Sequence, residues 1–136
     1  LQQRRADYAE AERVYRAFFE EDAKLAMSGM LPGDTVLEML GGPMLSSYPQ
    51  SRAKQHDLGI TSKGPYTLVF VRPDGELQDA EAAAALKSCV DGRNAIGMQG
   101  MKTLGPGTLA EVRTTYRRVD GVLKLWTQNV SKVSSC

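Results

Sequence analysis

Apolar and polar positions divide the chain into stretches of different period. From Gln2 to Met30, Tyr8, Ala11, Tyr15, Phe18 and Leu25 return to one face at helical spacing, and Val14, Ala26 and Met30 widen it. Charged residues fill the gaps, with Glu12 and Arg16 at the favourable i,i+4 spacing. This pattern predicts one long helix over residues 1–30, more than twice the ordinary length. Pro32-Gly33-Asp34 interrupts it, and Thr35 to Leu40 reads as a short second helix that stops at Gly41-Gly42. Residues 41–65 carry prolines, serines and no clear period, and read as an irregular loop.

Alternation takes over after Pro65. Tyr66 to Arg72 is apolar on both faces, which predicts a covered strand. Asp79, the alanine run at 82–85 and Gly92 frame a predicted helix near 79–91, with Cys89 on its inner face. Ala95 to Thr103 reads as a strand weakened by glycines. Two long alternating runs, 108–119 and 122–133, flank Asp120-Gly121, a strong hairpin signal. That turn sets Val119 opposite Val122, Tyr116 opposite Leu125 and Thr114 opposite Thr127. Ala110, Val112, Thr114, Tyr116, Leu123 and Leu125 then share the core face. The whole chain, 1–136, reads as a single α+β domain: a long N-terminal helix packed on an antiparallel sheet of about four strands, residues 66–136 supplying the sheet and one helix.

Composition narrows the function classes. Seventeen basic residues against sixteen acidic give a net charge of +1, which argues against nucleic acid as the partner. No apolar run reaches the ~18 residues of a membrane span. Because the chain opens on Leu1, a targeting or anchoring segment upstream is compatible with it. Cys89 and Cys136 either close a loop of about 47 residues or stay as free thiols; a cysteine at the very end of the chain favours the staple, and with it an extracytoplasmic or organellar setting. With one histidine and no CxxC pattern, no structural metal and no cofactor is expected.

Two surfaces could carry function. On the outer hairpin face, Arg113, Arg117, Lys124 and Lys132 surround Trp126, and Arg117 faces Lys124 as an unrelieved like-charge pair. An exposed tryptophan in a cationic stripe suits a protein partner or a second copy of the chain. The alternative is a pocket between helix and sheet using Asp22, His56 and Tyr116. His56 is the one histidine of the chain, and Asp22 is the one acid of the 20–22 cluster near the inner face. No catalytic constellation is readable. The sequon at Asn129 falls on the core face in this register, which disfavours its modification.

The helix from Ala11 to Met27 with Phe18-Phe19 and Asp22, followed by the hairpin from Arg118 to Leu125, resembles nuclear-transport-factor-like cone domains. That resemblance implies a small enzyme or ligand binder. The long helix, irregular loop, sheet and terminal cysteine also resemble the truncated head of a type IVb pilin, which implies a structural subunit. The residues themselves point to a non-catalytic subunit or binding module of a larger, membrane-associated assembly.

Overall fold

A computed structural model describes residues 2–76 and 79–136. Helix α1 runs Gln2–Ser28 as one 27-residue rod. Gly29 ends it by donating its N–H to the Leu25 carbonyl at 2.8 Å. A single turn, α2 (Asp34–Leu37), leads to α3 (Pro43–Asp57). Seven strands follow: β1 (Ile60–Lys63), β2 (Thr67–Pro73), β3 (Ala84–Asp91), β4 (Ile96–Gln99), β5 (Lys102–Pro106), β6 (Leu109–Val119) and β7 (Val122–Lys132). They form two antiparallel sheets, one ordered β2-β3-β6-β7 and a smaller one ordered β1-β4-β5.

The α+β reading and the long helix hold, and the helix shelters the side of the hairpin expected of it. Tyr116 and Leu125 are fully buried, in one cluster with Ala11, Tyr15 and Phe18 of α1 and with Leu86 of β3. Asp7 and Glu10 clamp the first half of α1 to the hairpin end. Arg118 reaches Asp7 at 2.5 Å and Glu10 at 3.2 Å, and the Leu123 N–H donates to Glu10 at 3.1 Å.

Two expectations need correction. The stretch near 79–91 is not a helix. Asp79 instead holds a turn by accepting the Glu81 N–H at 3.0 Å, and β3 begins at Ala84. The alanine run favours helix locally, but this segment lies between β2 and β6, where small residues allow close packing on both faces. The 41–65 stretch is not an irregular loop: it holds α3 and β1. Pro43 sits in the first turn of α3, where its missing N–H is harmless, and Met44 and Tyr48 are buried one turn apart. The expected antiparallel sheet of about four strands is present, and a second, three-stranded one accompanies it.

The hairpin register holds near the turn and then slips. Asp120 and Gly121 both take positive φ, 52° and 79°, as a tight hairpin turn requires. Val119 pairs with Val122 and Tyr116 with Leu125. A bulge follows, with Trp126 as the unpaired residue, so Thr127 meets Thr115 and Gln128 meets Thr114. Beyond Trp126 every β7 side chain is therefore on the opposite face from the one expected.

Cys89 and Cys136 form a disulfide. Cys89 lies on the face of β3 turned away from α1, since Leu86 and Ser88 point toward the helix side. The tail after β7 crosses back over β6, with the Val133 N–H donating to the Leu109 carbonyl at 3.0 Å. It leaves Cys89 only 1% exposed.

Candidate binding site

The second half of α1 stands over the far end of the large sheet and leaves a cleft of about 300 Å3 there. Phe18, Phe19, Ala23 and Ala26 form its helical wall, and Val90, Val112 and Val130 form the floor. The floor residues come from three adjacent strands, β3, β6 and β7. Val130 reaches this floor because of the bulge: it pairs with Val112, whose side chain faces the helix. With Trp126 paired opposite Thr115 and no bulge, Asn129 would take its place.

Several polar groups of the cleft are held in place. Tyr48 of α3 donates its hydroxyl to Asp22 at 2.5 Å, and Arg52, one turn further on, approaches the same carboxylate oxygen at 3.8 Å. The Phe18 and Tyr48 rings meet edge to face, with centroids 5.1 Å apart. Burial, reinforced by the Asp22 charge, pushes the Tyr48 phenol far above its ordinary range, so it stays a donor. On the floor, Ser88 donates to the Tyr15 hydroxyl at 2.8 Å, and burial likewise raises the Tyr15 phenol. These bonds fix the directions of Asp22, Tyr48 and Tyr15, and Tyr66, Thr108 and Gln128 add further polar groups to a mainly apolar lining.

Of the pocket residues read from the sequence, Asp22 alone lines this cleft. Tyr116 lies deeper, fully buried and hydrogen-bonded to Thr114 at 2.8 Å, with its phenol raised by burial. His56 is exposed at the end of α3, its Nδ1 2.8 Å from the Gly29 carbonyl. The structure does not bring the three together. Among the described residues no group of three or more His, Cys, Asp or Glu side chains is placed to hold a metal.

The outer hairpin face carries its own neutralising shell. Arg113 meets Asp74 at 3.4 Å, Glu76 at 2.8 Å and Glu111 at 3.0 Å. Arg117 meets Glu81 at 2.8 Å and Asp79 at 3.7 Å, and its guanidinium lies 5.0 Å from the Trp126 ring. Arg117 and Lys124 do pair in register. Their repulsion is relieved by those acids and by the Glu38 carbonyl, which accepts from the Lys124 ammonium. Trp126 is half-buried and packs on Gly41 and Gly42. Lys132 pairs with Ala110 and so belongs to the helix-side face, apart from the other four. Sequence reasoning missed Phe19, Arg52, Val90 and Val130 because the cleft is assembled from α1, α3 and three strands. The apolar outer-edge position of Phe19 beside Phe18 was the one local signal.

No family model matches the chain, and no curated protein matches it. Its fold, however, is known. The chain is similar to the intermembrane-space region of the chloroplast protein ARC6 in its crystal structure. The likeness has a TM-score of 0.60 at 16% identity, over 90% of this chain and 95% of that one. At that identity the match with the ARC6 region establishes the fold alone. Among the described residues, no helix is long and apolar enough to cross a membrane.

Proposed function

We propose that this chain is a non-catalytic protein-binding module of a larger, membrane-associated assembly, and that the cleft under α1 receives an apolar segment of its partner. One observation carries the reading: a preformed, mainly apolar cleft whose one acid is already engaged. Asp22 is hydrogen-bonded to Tyr48 and flanked by Arg52, an arrangement suited to orienting a ligand. The walls come from rigid helices and strands, which keeps the ordering cost of binding low. The fold shared with the ARC6 intermembrane-space region supports a setting beside a membrane. The stripe of Arg113, Arg117, Lys124 and Trp126 contributes less, because its charges are satisfied within the chain.

Selection of a random peptide display library against the immobilised chain tests this. Peptides with clustered apolar side chains should be enriched. Ala23→Trp, which fills the cleft, and Phe19→Ala, which strips its wall, should each weaken the selected peptides about tenfold or more. Far-UV circular dichroism should show both variants folded. Binding that survives both changes, or no enrichment at all, would overturn the proposal.

A further inference from the structure

The end of the molecule where α1 and α3 finish has an unusual surface. Met30 is 65% exposed, Leu31 52%, Leu58 45% and Met101 98%. They belong to three separate chain reversals: the α1 exit, the α3 exit and the β4–β5 turn. The structure ties these reversals together. Gly29 packs against Thr61 and Ile60. The Gly29 carbonyl faces His56 Nδ1 at 2.8 Å, the Leu58 carbonyl accepts from the Gln99 amide at 2.8 Å, and the Gly59 carbonyl accepts from the Gly100 N–H at 3.4 Å.

We infer that this tip is a lipid-docking surface, inserting Met30, Leu31, Leu58 and Met101 into the interfacial region of a bilayer that carries anionic headgroups. Three features favour lipid. First, the apolar residues sit on turns at one end, so they can enter a surface together. Second, three carbonyls of these turns, those of Gly29, Leu58 and Gly59, already have partners, which lowers the cost of leaving bulk water. A protein interface makes no such demand, because a partner supplies donors of its own. Third, the exposed lysines beside the tip, Lys54 and Lys102, have no ion pair among the described residues and can meet headgroup phosphates. Asp57, beside Leu58, and Asp34, three residues after Leu31, are acids close to the tip along the chain, and Lys24 is taken up by Glu20 and Glu21. Methionine and leucine, flexible and unbranched at Cβ, suit a disordered acyl boundary. This inference uses a surface distinct from the cleft and does not depend on the function proposed for it.

Co-sedimentation of the chain with vesicles of phosphatidylcholine containing about one-third phosphatidylglycerol tests it. The chain should bind, and weaken as salt is raised. Replacing Met30 and Met101 by Ser together should lower partitioning about tenfold. Lys54→Glu with Lys102→Glu should lower it by a similar factor at low salt. Phe19→Ala, in the cleft, should leave it unchanged. Absence of binding, or binding indifferent to the double serine variant, overturns the inference. So does concentration-dependent self-association in the ultracentrifuge that the serine variant abolishes without any vesicle binding, since the tip would then join two copies of the chain.

Discussion

Gly42 shows how one residue can hold two elements together. It takes φ of +52° just before α3, and a Cβ there would run into the Trp126 indole. The half-buried tryptophan is seated because position 42 lacks a side chain. Gly42→Ala should therefore destabilise the fold by about 2–3 kcal/mol, combining backbone strain with overpacking. Gly59→Ala, at a comparable φ of +68° but with open space beside it, should cost only about 1 kcal/mol. Urea unfolding of the two variants checks this, and equal losses would show that the indole contact contributes nothing. The two glycines at 41–42 are legible as a stop signal. Their role as the bed of a distant indole is not, because it depends on a parallel bridge between Leu40 and Leu125.

At the scale of elements, legibility follows how local the cause is. The hairpin turn and α1 can be read because their determinants lie within a few residues of one another. Helix α3 cannot, because only Met44 and Tyr48 of its fifteen residues are buried, too few to draw an apolar stripe through the prolines and serines. Strand β3 reverses its local preference because of its neighbours on both sides. Of the candidate site, Asp22 was legible from its place on the inner edge of α1, whereas the valine floor depends on a register shift that no turn residue announces. The disulfide is a second long-range constraint, joining β3 to the tail over a separation of 47 residues. Cys136→Ser should cost about 3–4 kcal/mol by loop entropy. Beyond that global loss, hydrogen exchange should show an additional loss of protection at the β7 end and tail, from Gln128 to Val133. Uniform loss across both sheets would mean that the bond acts on the unfolded chain alone.

Across the whole molecule, α1 is held at two levels by different means. Its middle is buried against Tyr116 and Leu125, while its beginning depends on charge. Arg118, by hydrogen bonding, holds the Asp7 carboxyl below its usual range, with Gln3 assisting. A carboxylate depressed in the fold contributes stability that is fully present above the unfolded value of about 4 and is lost as pH falls through the folded value. Thermal unfolding temperature should thus decline between pH 5 and pH 2. Asp7→Asn should cost about 1–2 kcal/mol at neutral pH and make that decline shallower. Parallel curves for the two proteins would assign the acid sensitivity to other carboxylates, such as Asp91, which Arg93 lowers to about 2.

The inserted residue in β7 has a consequence for how such a cleft can change. Face assignment downstream of Trp126 is a matter of parity. Deleting that residue would keep Val130 opposite Val112, whereas closing the bulge with Trp126 still in place, opposite Thr115, would put Thr127 and Asn129 under the helix in place of Gln128 and Val130. A homologue of equal length whose hairpin paired without the bulge would present a more polar floor with the same residues in its sequence.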